Sequence, residues 1–145
     1  MTLRLRLILV APPAGVDFGL QSGRGSSYTT IQTQRSAGKD LRFEFGVEVK
    51  PGGVEKGLPD FRGPAVQGAA GGRFVYIDIG TYAGQAGTPW SRRLKVPLSG
   101  ITWQQAERIS RDARTVLEAR VPGAAKDGSP ACASVKEFAG WKPVR

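Results

Sequence analysis

Apolar and polar residues alternate along several segments of this 145-residue chain, and this alternation constrains the fold more than any other feature. A β-strand directs successive side chains to opposite sides, so a period of two residues is typical of a strand with one buried face. The segment that begins at Leu3 has a leucine at every second position through Leu9. Over residues 41–50, large apolar side chains alternate with charged residues and one glycine. The sequence therefore predicts a fold built mainly from β-strands.

Further segments complete the predicted architecture. Alternating patterns recur near residues 16–20, 73–79, 93–98 and 115–121, and the 20 glycines and 10 prolines suit turns better than helix interiors. One helix is predicted over about residues 102–114, because Thr102 and Gln105 have capping-box spacing before apolar residues at three- and four-residue steps. We expect a mainly β, single domain over residues 1–145. It is either an antiparallel β-barrel or a two-layer β-sandwich of about seven to eight strands with that helix.

Missing residue types exclude several chemistries. The chain has no histidine, which removes the commonest general base, triad partner and transition-metal ligand. Cys132 is the single cysteine, so the chain forms no internal disulfide and a reducing, cytoplasmic location is expected. The first ten residues alternate instead of forming the apolar core of a signal peptide, and no apolar run reaches a membrane-spanning length. We therefore expect no cofactor, no metal site and no membrane partner.

Residues 28–35 favour a strand by propensity yet are polar on both sides. Gln32 and Gln34 share one side of this strand with Tyr28 and Thr30. If that side faces inward, a few placed amides in an apolar cavity describe a small-molecule pocket. If it faces outward, the segment is an exposed edge, and this alternative is preferred.

Two glycine-rich loops carry the remaining candidate residues. Arg73 ends a run of small residues whose free amides could bind an anion, although a simple turn is preferred because a strand and not a helix follows. Tyr82, Gln85 and Trp90 lie in the second loop shortly before Arg93. Aromatic rings beside guanidinium groups can stack on planar or anionic ligands. The alternative, which is preferred, is that Trp90 closes one end of the sheets.

Six stretches carry a resemblance to other proteins, namely residues 16–21, 32–34, 40–45, 63–68, 71–77 and 93–98. In these stretches the chain resembles a family of small bacterial proteins known only as a domain of unknown function. The resemblance covers nearly the whole chain. It implies a single-domain architecture and a bacterial origin, and it implies no activity or catalytic residue.

Two functions of different classes fit these observations. The preferred hypothesis is a non-catalytic domain that binds a small polar or anionic ligand. The alternative is a basic module for single-stranded nucleic acid, based on the formal net charge of +9 and on aromatic residues near arginines. An enzyme that uses carboxylate, tyrosine or arginine chemistry is a third option. The predicted ligand contacts are Gln32, Gln34, Arg73, Tyr76, Tyr82, Gln85, Trp90 and Arg93.

Overall fold

A computed structural model describes residues 1–24, 27–51, 59–63, 65–67, 74–79, 93–98, 100–126, 128, 133–134 and 140–145. Within these ranges the chain forms eleven strands in two sheets and one helix, α1 (Trp103–Ser110), and eight of the strands contain at least four residues. The first sheet contains β1 (Thr2–Val10), β4 (Leu41–Pro51), β5 (Pro59–Arg62), β9 (Val116–Pro122) and β11 (Lys142–Val144). The second sheet contains β2 (Asp17–Arg24), β3 (Ser27–Arg35), β6 (Val66–Gln67), β7 (Phe74–Ile79), β8 (Arg93–Pro97) and β10 (Ala133–Ser134).

The leucine-rich strand β1 lies at the centre of the first sheet, whose strand order is β11, β9, β1, β4, β5. It pairs with β4 in antiparallel orientation and with β9 in parallel orientation, so Leu7 lies opposite both Phe43 and Ala119. All three side chains are fully buried or nearly so. The predicted alternation is confirmed here, because the charged residues between the buried positions of β4 are exposed.

The second sheet has the order β10, β8, β7, β2, β3, and β6 also pairs with β7. Strands β2 and β3 form an antiparallel pair whose register shifts between Leu20 and Gln21. This irregularity leaves Ile31 without an opposite residue, and its side chain is 44% exposed. Strand β8 ends at Pro97, as expected for a residue that has no N–H to donate.

One apolar core lies between the two sheets, so the described strands form a sandwich and not a single closed sheet. Both sheets contribute large buried side chains to this core. The pairings of β1 with β9 and of β8 with β10 are parallel, so both sheets are mixed. The buried residues include Leu5, Phe43 and Leu117 from the first sheet and Phe18, Ile77 and Val96 from the second.

The helix begins where the sequence predicts and ends earlier. Thr102 is its N-cap, and the chain leaves the helix after Ser110 instead of near residue 114. The side chain of Asp112 explains the early end, because its Oδ1 accepts from the backbone N–H of Arg114 and its Oδ2 accepts from the Thr115 hydroxyl. Such local bonds compete with helical hydrogen bonds. The alternating patterns did not predict strands β5, β6 and β11.

Within the described part of the chain, no helix combines the length and the apolar composition that a membrane crossing requires.

Candidate functional site

The two predicted glutamines lie on β3 and reach across to the first sheet. The Nε2 group of Gln32 donates to the carbonyl oxygen of Glu44 at 2.6 Å, and that of Gln34 donates to the carbonyl oxygen of Arg42 at 2.5 Å. Both glutamines are partly exposed, whereas their neighbour Thr33 is exposed. The side chains of Gln32 and Gln34 are therefore directed at the edge of β4.

The side-chain amides of Gln32 and Gln34 bind to a part of β4 that does not pair with β5. Met1 and Val49 exchange backbone hydrogen bonds of 2.7 and 3.3 Å, so the odd-numbered residues of β4 bond to β1. The even-numbered residues consequently direct their backbone groups away from β1. Strand β5 pairs only with residues 48–51 of β4. Gln32 and Gln34 supply donors for carbonyl groups beyond the end of β5.

The other predicted contacts are only partly described. For Tyr76 and Arg93 the structure describes the backbone, which places them on the paired strands β7 and β8, with Tyr76 opposite Lys95 and Arg93 opposite Asp78. Arg73, Tyr82, Gln85 and Trp90 lie outside the described residues. Of the predicted site, the described structure thus brings together the side chains of Gln32 and Gln34.

A second candidate site lies on the outer face of the first sheet, where sequence reasoning did not place one. It is an open recess of about 260 Å³ above β1 and β4. Gly46 has no side chain there, and a Cβ built at Gly46 would lie 3.9 Å from its nearest neighbour, the carbonyl oxygen of Leu3. The absence of a side chain at this position helps to leave the recess open. The recess is lined by Arg4, Leu5, Arg6, Glu44, Phe45, Gly46 and Val116.

Arg6 is held between two carboxylates at the recess. Its Nε donates to Oε1 of Glu44 at 2.8 Å, and its Nη1 donates to Oε2 of Glu118 at 3.1 Å. The three residues face each other across β4, β1 and β9, because Arg6 is in register with both acids. The hydrogen bonds that Arg6 donates to Glu44 first and to Glu118 second raise the pKa of Arg6 above its ordinary value. The guanidinium group is therefore charged and fixed in position.

The ion pairs continue along the same face. Nη1 of Arg120 lies 3.9 Å from Oε1 of Glu118, and Nη2 of Arg120 lies 3.2 Å from Oδ2 of Asp40. Asp40 in turn accepts from the backbone N–H of Ala11 at 2.8 Å. Arginines and carboxylates thus alternate across the outer face from Glu44 to Asp40.

Arg4 differs from Arg6 in its surroundings. Its Nη2 donates to the carbonyl oxygen of Ala113, in the turn that follows α1. Among the described residues, Arg4 has no carboxylate partner, and it is exposed. Its charge is therefore compensated less than that of Arg6.

The sequence alone did not predict the recess, because the recess forms only through the register between paired strands. The alternation at Arg4, Arg6, Glu44 and Gly46 predicts an outward position for each residue, but residues of this kind usually form a solvated face. Only the pairing of Arg4 with Gly46 and of Arg6 with Glu44 brings them together. A glycine at an outward position of a long strand was the one available signal, since glycine in a strand marks close approach or a bulge.

A family model described as a family of unknown function (DUF5990) matches residues 3–144, which include every residue of the recess. No curated protein and no solved structure matches the chain.

Proposed function

The chain belongs to the family of unknown function DUF5990, and from the geometry of its described residues we propose that it is a non-catalytic binding domain for a small polar or anionic ligand. The observation that carries the proposal is the recess of about 260 Å³ between paired strands, whose lining residues include Arg4 and Arg6. Guanidinium groups bind carboxylate and phosphate oxygens through several parallel N–H donors. The proposed ligand site is therefore the outer face of the first sheet.

The two arginines of the recess are held in place by their strand and, for Arg6, by ion pairs, and this order favours binding. Both arginines lie on β1, the central strand of the first sheet, which is hydrogen-bonded on both sides. Arg6 is also fixed by Glu44 and Glu118. A group that is already ordered loses little conformational freedom on binding, so more of the interaction energy appears as affinity.

The size of the recess supports a small ligand. Sites for drug-sized molecules occupy about 300–1,000 Å³. The recess is slightly smaller, at about 260 Å³. A metabolite with few non-hydrogen atoms fits this volume better than a nucleotide.

Single-stranded nucleic acid is the competing partner, since the net charge of +9 attracts polyanions. On the outer face of the first sheet, however, Arg6 and Arg120 are paired with Glu44, Glu118 and Asp40. These carboxylates repel a phosphate backbone. The distribution of charge therefore supports the small ligand. We also propose a cytoplasmic location, which rests on the single cysteine, Cys132.

The proposal is tested by NMR titration of the whole protein at about 0.15 M salt, where long-range attraction is screened. The additions are a panel of small polar and anionic metabolites and, separately, a single-stranded oligonucleotide. We expect a small molecule to shift the backbone amide signals of Leu5, Phe45 and Gly46, which line the recess.

Two variants locate the binding. Arg4→Met should weaken it, whereas Arg111→Met should not, because Arg111 lies just after α1 and pairs with Glu107 away from the recess. The proposal fails if no small molecule shifts the recess amides, or if Arg4→Met binds as tightly as the parent. A response to the oligonucleotide alone would establish the competing function.

A further inference from the structure

The charges around the recess are nearly balanced. Arg4 and Arg6 contribute two positive charges, and Glu44 and Glu118 contribute two negative charges. Both carboxylates are within hydrogen-bonding distance of Arg6. An incoming anion therefore meets no large excess of positive charge, and each added negative charge increases its repulsion by Glu44 and Glu118.

Arg4 is the group that can recognise one anionic group. A guanidinium has five N–H donors, and one contact of Arg4, to the carbonyl oxygen of Ala113, uses a single nitrogen. The remaining donors can form the two parallel bonds that a carboxylate accepts. Since a neutral carbonyl leaves the charge of Arg4 uncompensated, a single carboxylate balances it.

Glu44 is the group that can recognise a donor. Its Oε1 accepts from Arg6, its side chain is 55% exposed, and the residue lines the recess. A carboxylate offers about four lone-pair sites, so Glu44 can accept further hydrogen bonds. An ammonium or hydroxyl group on the ligand would satisfy this acceptor.

We infer that the recess selects a small monocarboxylate that carries a hydrogen-bond donor, such as an ammonium or hydroxyl group, over phosphate and polyanions. The carboxylate binds Arg4, and the donor binds Glu44. This inference rests on the proposed function, because it specifies the ligand class of the same site. Selectivity comes as much from the repulsion of extra negative charge by Glu44 and Glu118 as from attraction to Arg4.

The test is an NMR titration of the whole protein with four probes: alanine, lactate, acetate and inorganic phosphate. Alanine carries an ammonium donor, lactate carries a hydroxyl donor, and acetate carries neither. We expect alanine or lactate to bind about tenfold more tightly than acetate, because one additional hydrogen bond to the charged Glu44 carboxylate contributes about that much affinity. Whichever of alanine and lactate binds more tightly identifies the donor as an ammonium or a hydroxyl group. Phosphate should bind less tightly than both alanine and lactate.

A matched pair of variants tests the role of Glu44. Glu44→Gln keeps the size of the side chain and removes its charge, so phosphate should gain affinity relative to the preferred carboxylate by about tenfold. Glu48→Gln makes the same change on the same strand, outside the recess lining, and should leave the preference unchanged.

The outcomes separate the two proposals. Acetate binding as tightly as alanine and lactate, or phosphate binding at the recess amides more tightly than all three, would overturn the ligand class and leave the binding function standing. The ligand class also fails if Glu44→Gln and Glu48→Gln give the same selectivity. If none of the probes and none of the wider metabolite panel shifts the recess amides, the binding function fails and the ligand class fails with it.

Discussion

At Gly123 the chain passes Pro12 too closely for any side chain. A Cβ built at Gly123 would lie 2.7 Å from Cβ, 2.8 Å from Cα and 2.9 Å from the nitrogen of Pro12. The backbone N–H of Gly123 also donates to the carbonyl oxygen of Val10 at 2.8 Å, just after β9 ends beside β1. Because two of the three close atoms belong to backbone, a larger residue must displace the chain.

We predict that Gly123→Ala lowers the free energy of unfolding by about 1–3 kcal/mol, the usual effect of overpacking. Urea denaturation measures the change. Gly100→Ala is the control, because a Cβ at Gly100 meets no atom within 4 Å, and its effect should stay within about 0.5 kcal/mol. Equal stability of the two variants would show that the chain at Pro12 moves freely.

At the level of elements, α1 depends on a cap that the sequence already indicates. The hydroxyl of Thr102 accepts from the backbone N–H of Gln105 at 3.1 Å. The second half of the capping box is replaced by a tertiary contact, since Nε2 of Gln105 donates to the carbonyl oxygen of Trp141 at 3.4 Å. The ring nitrogen of Trp141 in turn donates to the carbonyl oxygen of Pro97 at 3.0 Å. Through Trp141, the contacts of α1 therefore extend to β8 of the second sheet.

Thr102→Ala should lower the free energy of unfolding by about 1 kcal/mol, because the N–H of Gln105 loses its acceptor. Thr102→Ser keeps a hydroxyl and should stay close to the parent. Thermal and urea denaturation of the three proteins provide the comparison. A serine variant as unstable as the alanine variant would assign the loss to the methyl group of Thr102 instead of its hydroxyl.

The glutamine contacts between β3 and β4 are a second feature at this scale. We predict that the double variant Gln32→Met with Gln34→Met lowers the free energy of unfolding by about 2 kcal/mol, at about 1 kcal/mol for each lost hydrogen bond. Methionine keeps the approximate length of the side chain and has no donor for the carbonyl groups of Glu44 and Arg42.

Thr33→Val is the control for these substitutions, since it changes an exposed neighbour on the same strand. It should change stability by less than about 0.5 kcal/mol in the same urea experiment. A double variant as stable as Thr33→Val would mean that water replaces the amides without loss.

For the whole molecule, acid should weaken the fold through Asp112, which joins the turn after α1 to the end of the chain. The N–H of Arg114, the hydroxyl of Thr115 and then the charge of Arg145 lower the pKa of Asp112. A carboxyl group whose pKa is lowered in the folded state binds fewer protons there than in the unfolded chain. Its contribution to stability is full above the unfolded pKa of about 3.9 and disappears as the pH falls through the lower, folded value.

We therefore predict that the free energy of unfolding falls as the pH is lowered below about 4, and that it falls less steeply in Asp112→Asn. Urea denaturation across this pH range measures both slopes. The variant should be less stable than the parent at neutral pH, with a difference that narrows in acid. Identical slopes would show that the contacts of Asp112 do not persist in solution.

Much of the fold follows from local patterns. The period of two at Leu3 to Leu9 predicts β1, and the cap at Thr102 predicts the start of α1, because both depend on neighbouring residues. The early end of α1 was not predicted, since it depends on the hydrogen bonds that the Asp112 carboxylate accepts from Arg114 and Thr115. The contacts predicted at Tyr76 and Arg93, and in the loops at Arg73, Tyr82, Gln85 and Trp90, stay predictions.

The sequence by itself determined which side of β1 and which side of β4 is buried, because alternation is a property of the extended backbone. It also excluded histidine chemistry. Only the tertiary structure decided which strands are neighbours, since β1 pairs in parallel with β9 more than a hundred residues away. That pairing, together with β4, places Arg6 between Glu44 and Glu118 and Arg4 beside Gly46. The recess depends on register between distant segments, and no local pattern encodes that register.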